Sequence, residues 1–285
     1  MEQFFEILKA LLFGIVEGIT EWLPVSSTGH MILLDEFIKL DVTPEFYSMF
    51  QVVIQLGAIA AVVLLFWNDI FPFGKKDNRY PMAKEGLLSY VKKDKIYLWI
   101  LIVIACIPAA VVGILFDEIF EAWFYNPVCV SLALIVFGIA FIVIEEKNKN
   151  QRPKINSIKS LDLKTVLLIG LFQLLAAIFP GTSRSGATIV GALLLGVNRK
   201  LAAEFTFYLA IPVMFGASLL KVLKFGFTFT FMEIAILLIG MIVAFAVSIF
   251  VIKCLMEYIK KNDFKVFGWY RIVLGIIVLL YFMIF

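Results

Sequence analysis

Two short polar runs interrupt an otherwise apolar chain: EGITEWLPVSSTGH, from Glu17 to His30, and PGTSRSGAT, from Pro180 to Thr188. The second sets Arg184 among Ser183, Ser185 and Thr188, with Gly181 and Gly186 permitting close backbone approach. A guanidinium at membrane depth costs about 3 kcal/mol or more, so Arg184 requires an anion. Hydroxyl and backbone donors near a helix start make phosphate the fitting one. In the first run Glu17 and Glu21 are spaced i, i+4 and share a helix face. Pro24 is expected to end or bend that helix and to present Ser26, Ser27, Thr28 and His30, the only histidine, in the turn beyond. The two runs together supply an anion receptor, acids able to bind a divalent cation or move protons, hydroxyl nucleophile candidates and one acid/base imidazole. Such a set suits phosphoryl transfer, in which the protein mainly positions groups and neutralises charge.

The elements that must position these residues are membrane helices. With 62% hydrophobic residues, 29 Phe and a mean hydropathy of +0.99, the composition excludes a soluble domain. Apolar stretches fall near 4–23, 46–68, 97–116, 127–145, 165–196, 202–222, 231–252 and 267–285. Glu6, Lys9, Glu17 and Glu21 in the first, without a small-residue cleavage site, argue against a removable signal peptide. Cys106, Cys129 and Cys254 have no metal-like spacing and read as packing residues. Loops 72–95, 146–164 and 253–265 are rich in Lys and Arg and belong inside. The connection 117–126 carries Asp117, Glu118 and Glu121 without a basic residue, and the acid-rich first forty residues join it outside.

Stretch 165–196 begins and ends beside basic loops, and its arms, 165–179 and 186–197, are each too short to cross. It must dip in and return, and segment 4–40 does the same from the other face. An internal repeat agrees with this count. Aligning Pro24 with Pro180 pairs Gly14 with Gly170, Glu17 with Gln173, Ile19 with Leu175 and Ser27 with Ser183; three residues out of register, Glu45-Phe46 matches Glu204-Phe205 and Gly57-Ala58 matches Gly216-Ala217. The expected fold is therefore an all-α polytopic membrane protein of two inverted-topology repeats, with six spanning helices and two re-entrant helix pairs. Repeat one covers about 1–145, repeat two about 165–285, and 146–164 is a cytoplasmic linker; the polar site lies where the broken helices meet.

The paired motifs EGITEWLPVSSTGH and PGTSRSGAT resemble the bacterial undecaprenyl-diphosphatase family, also known as bacitracin-resistance proteins, over nearly the whole chain. The resemblance implies hydrolysis of undecaprenyl diphosphate to undecaprenyl phosphate, which recycles the lipid carrier of wall synthesis, and a divalent-cation requirement (Mg2+ or Ca2+). It places Glu17 and Glu21 in the acidic motif, Ser26, Ser27 and His30 in the turn after it, and Ser183, Arg184 and Thr188 in the phosphate-binding run. The nucleophile is expected to be Ser27, with His30 as proton shuttle and Arg184 stabilising charge. A water activated by His30 or Glu21 is the rival, and Ser26 is adjacent. Glu17 and Glu21 are the expected metal ligands, and Ser26, Ser183, Arg184, Ser185 and Thr188 the substrate-binding residues. The expected setting is the bacterial plasma membrane with the site facing outward. The partners are a polyprenyl diphosphate lipid and the membrane, with a homodimer allowed and no nucleic acid. A transporter or flippase of the same lipid is the competing function, since inverted repeats also build transporters. Phosphatidic-acid-type phosphatases use two histidines, and a scaffold would not concentrate polar residues in two related segments and nowhere else in the apolar stretches.

Overall fold

A computed structural model describes residues 2–75 and 78–284. Part of the charge count falls on Lys76 and Asp77 and on the side chains of Glu2, Asp117, Glu118 and Glu121, outside what is described. The helices are α1 (Glu2–Thr20), α2 (Ser27–Phe37), α3 (Pro44–Val53), α4 (Gln55–Leu65), α5 (Trp67–Ile70), α6 (Lys93–Phe124), α7 (Pro127–Asn148), α8 (Leu163–Ile178), α9 (Arg184–Leu194), α10 (Arg199–Phe225), α11 (Phe231–Tyr258) and α12 (Lys265–Ile284). Their starts are written in the sequence. Thr43, Asn126, Asp162, Asn198 and Thr230 each cap a helix by accepting a first-turn backbone N–H, and Pro44 and Pro127 occupy first-turn positions that need no donor.

Among the described residues, six segments are long and apolar enough to span a membrane: Pro44–Leu65, Lys93–Phe116, Pro127–Asn148, Arg199–Phe225, Phe231–Tyr258 and Lys265–Ile284. The chain is thus an all-α multi-pass membrane protein, as its composition requires. The first span is broken at Ile54, which separates α3 from α4, and α6 and α10 carry Pro108 and Pro212 in their interiors. At about 1.5 Å per residue, the 16 residues of α8 and the 11 each of α2 and α9 fall short of a bilayer's thickness.

Helix partners recur in the two halves. α1 lies along α11 and α8 lies along α6, while α7 and α12 pair with each other. The approach is close enough to need glycine at matching positions: a Cβ on Gly14 would stand 2.6 Å from the Gly240 carbonyl oxygen, and one on Gly170 only 2.2 Å from that of Ala105.

The two polar runs build the same turn, with a correction to the alignment. α1 ends at Thr20, before Pro24, although Glu21 keeps helical register through its N–H to the Glu17 carbonyl at 3.0 Å. Ser26 and Ser183 are the caps of α2 and α9, with φ of 74° and 66°, the only positive values on non-glycine residues among those described. Ser26, and not Ser27, is therefore the counterpart of Ser183, and Ser27 corresponds to Arg184. One residue more separates Pro180 from Ser183 than separates Pro24 from Ser26, and Gly181 in that longer turn has φ +90°. Ser27, Thr28 and His30 consequently stand in the first turn of α2 and not in the loop before it.

Candidate active site

Each capping serine accepts the N–H three residues on, Ser26 from Gly29 at 3.3 Å and Ser183 from Gly186 at 3.1 Å. A non-glycine residue held at positive φ costs roughly 1–3 kcal/mol, and its recurrence at both turns marks them as built for a purpose. The first N–H groups of a helix have no acceptor within it, so the starts of α2 and α9 are two sites of partial positive charge.

Glu21 joins them. Its Oε1 accepts from Arg184 Nη2 at 2.8 Å, and its Oε2 accepts from Ser27 Oγ at 2.7 Å. One buried carboxylate thereby holds the first residue of each short helix. Glu17, also buried, lies one turn earlier on α1 with its carboxyl against that of Glu21, and its Oε1 has no hydrogen-bond partner. Arg184 Nη1 donates to the Thr206 carbonyl of α10 at 3.2 Å, and its buried Nε is likewise unpartnered. Thr182 Oγ1 in the second turn is also buried without a partner, and open acceptor and donor valences of this kind are what an anion and its counter-ion would satisfy.

The remaining hydroxyls hold the frame. Ser185 Oγ donates to the Glu21 carbonyl at 3.2 Å and lies 3.1 Å from Ser183 Oγ; Thr188 Oγ1 contacts the Arg184 carbonyl at 2.9 Å and Thr206 Oγ1 at 2.8 Å. His30 is bound on both nitrogens. Nδ1 sits 2.7 Å from the Ser26 carbonyl, which can only accept, so Nδ1 carries a proton; Nε2 is 2.7 Å from the Tyr270 hydroxyl, whose ring is parallel to the imidazole. Ser27 Oγ thus meets the Glu21 carboxylate, while both His30 nitrogens are engaged elsewhere. Thr206 and Tyr270 were missed by sequence reasoning. Thr206 acts partly through its backbone, which leaves no signature, and Tyr270 resembles the interfacial tyrosines common in such chains.

Among the described residues, no cluster of three or more His, Cys, Asp or Glu forms a complete metal cage. Glu17, with one open oxygen, and Glu21 are the residues that would hold a hard divalent cation, whose remaining ligands would have to come from outside the protein. Beside the turns a cavity of about 720 Å³ is bordered by Thr28 of one and Pro180 of the other, with Asp35, Tyr47, Gln51 and Lys221 on its walls.

Residues 10–277 match the bacitracin resistance protein BacA family. The chain is 63% identical to an undecaprenyl-diphosphatase of Desulfitobacterium hafniense over 97% of its own length and 96% of the relative's. It is 58% identical to an undecaprenyl-diphosphatase of Enterococcus faecalis over 97% of each, and 51% identical to one of Streptococcus mutans over 98% and 96%.

Proposed function

Because the chain belongs to the bacitracin resistance protein BacA family, we propose that it hydrolyses undecaprenyl diphosphate to undecaprenyl phosphate and inorganic phosphate. The observation that carries this reading is the Ser27–Glu21–Arg184 connection between the starts of two short helices. The terminal phosphate sits at those helix starts with Arg184 on its non-bridging oxygens. Ser27 Oγ attacks phosphorus and passes its proton to Glu21; the bond to the bridging oxygen breaks, and its electron pair leaves with undecaprenyl phosphate. Water then attacks the phosphoserine phosphorus; the bond to Ser27 Oγ breaks, Oγ takes back the proton held by Glu21, and the water's protons leave with the freed phosphate. Arg184 stabilises charge in both displacements. His30, three residues from Ser27 and hydrogen-bonded through Nε2 to Tyr270, serves as the proton shuttle between this path and solvent. A divalent cation held by Glu17 and Glu21 would supply further neutralisation of phosphate charge.

The lipid carrier recycled in this way supports wall synthesis and bacitracin resistance. The setting is the bacterial plasma membrane, with the site opening outward. Supporting that orientation, the cavity beside the turns is walled by Pro44, Ser48, Asn126 and Pro127, from segments that the charge pattern assigns to the outer face. The two helical turns, with their matching helix partners, support reading the halves as inverted repeats with re-entrant pairs. The same layout suits a transporter, and one assay separates the two. Purified protein in detergent, given undecaprenyl diphosphate, is expected to release inorganic phosphate, to stop on addition of chelator and to resume with Mg2+ or Ca2+. No release, together with movement of polyprenyl phosphate across vesicles containing the protein, would favour transport.

A further inference from the structure

Contrary to the expectation that polar residues are confined to the two motifs, one more intramembrane cation, Arg271, lies in the last apolar stretch. Arg271 of α12 is wholly buried, and among the described residues it forms no ion pair. Its hydrogen bonds all go to backbone carbonyls. Nη1 donates to Pro24 at 3.1 Å, Nη2 to Gly181 at 3.0 Å and Thr182 at 2.7 Å, and Nε reaches Leu134 of α7 at 3.5 Å. Pro24 belongs to the turn before Ser26, and Gly181 and Thr182 to the turn before Ser183. One guanidinium therefore spans the two turns whose capping serines are held at positive φ. A Cβ on Gly186 would come within 2.8 Å of Nη1, so the start of α9 is packed directly against it.

We infer that Arg271 is a positioning residue, whose planar fork between the Pro24 carbonyl and the Gly181 and Thr182 carbonyls fixes the spacing of the two phosphate-binding helix starts. It does not itself bind substrate: with four bonds to carbonyls, little donor capacity is left for phosphate. The geometry is specific to arginine. An ammonium has no rigid fork and cannot hold acceptors on opposite sides in a fixed plane. The role rests on the hydrolytic reading above, but the clamp can be measured without turnover.

Hydrogen exchange of the whole protein in nanodiscs, followed by mass spectrometry, is compared for wild type, Arg271→Lys and Arg271→Gln, alongside kcat and KM for phosphate release. Both variants are expected to exchange faster in peptides covering 20–32 and 178–190 together, with α10 unchanged. A displacement of that kind is expected to lower kcat about 100-fold while leaving KM within about threefold. Millimolar guanidinium should restore part of the Arg271→Gln rate, an effect that a purely structural defect would not show. Wild-type protection of both turns in Arg271→Lys, or wild-type kcat, overturns the inference; so does loosening spread over α7, α10 and α12 alike. If the wild-type protein releases no phosphate, the hydrolytic reading fails, and the exchange data still decide whether Arg271 joins the turns.

Discussion

Glu21 is the residue on which the two halves converge, and its carboxylate has two distinct tasks. Oε2 faces the Ser27 proton and Oε1 holds Arg184. Burying such a pair is costly, and breaking it leaves a lone charge, so its retention points to chemistry. Replacing Arg184 by lysine should lower kcat about 100-fold or more in a folded protein, because a point charge cannot hold two phosphate oxygens as a fork does; near-normal turnover would remove the bidentate contact from the account. The nucleophile is tested by stereochemistry at phosphorus, with a chiral thiophosphate analogue. Two in-line displacements through phosphoserine retain configuration, and direct attack by water inverts it. The charged members of the site were legible because carboxylates and a guanidinium in apolar surroundings demand a reason. Their mutual contacts were not. Nothing in the spacing reveals that Ser27 meets Glu21, six residues before it, instead of His30, only three residues after it. Arg271 went unread because a lone cation inside a terminal span carries no motif.

At the scale of elements, a strained cap and a close approach do the positioning. Gly181 has φ +90°, and a Cβ there would lie 2.5 Å from the Val130 carbonyl oxygen of α7. Gly181→Ala should therefore destabilise by roughly 1–3 kcal/mol and depress kcat, read as a lower unfolding midpoint in detergent together with slower phosphate release. Gly170→Val should cost about the same by forcing α8 off α6, with a lower midpoint as its measure. The number of spanning helices was legible from hydropathy and loop charge. The early end of α1, the break at Ile54 and the extra residue in the second turn were not. Each depends on what packs against the segment, and a Pro-to-Pro alignment cannot detect an insertion that follows the proline.

For the molecule as a whole, the proposed orientation, with the site facing outward, rests on the basic loops and the acid-rich segments. With Cys106, Cys129 and Cys254 replaced, single cysteines at 40–44 should react with an impermeant reagent from outside, and those at 80–90 should not. Labelling of only the second set would reverse the orientation. Two short helices, one from each half, meet at one carboxylate, and the proposed function makes of them a single hydrolytic centre shared by both halves. Its most direct test is kcat for phosphate release from undecaprenyl diphosphate in Glu21→Gln, in Arg184→Lys and in the double variant. Groups acting as one unit are strongly non-additive, so the double variant should be within about threefold of the slower single variant. If instead the two losses multiply, Glu21 and Arg184 act independently and the shared centre is contradicted.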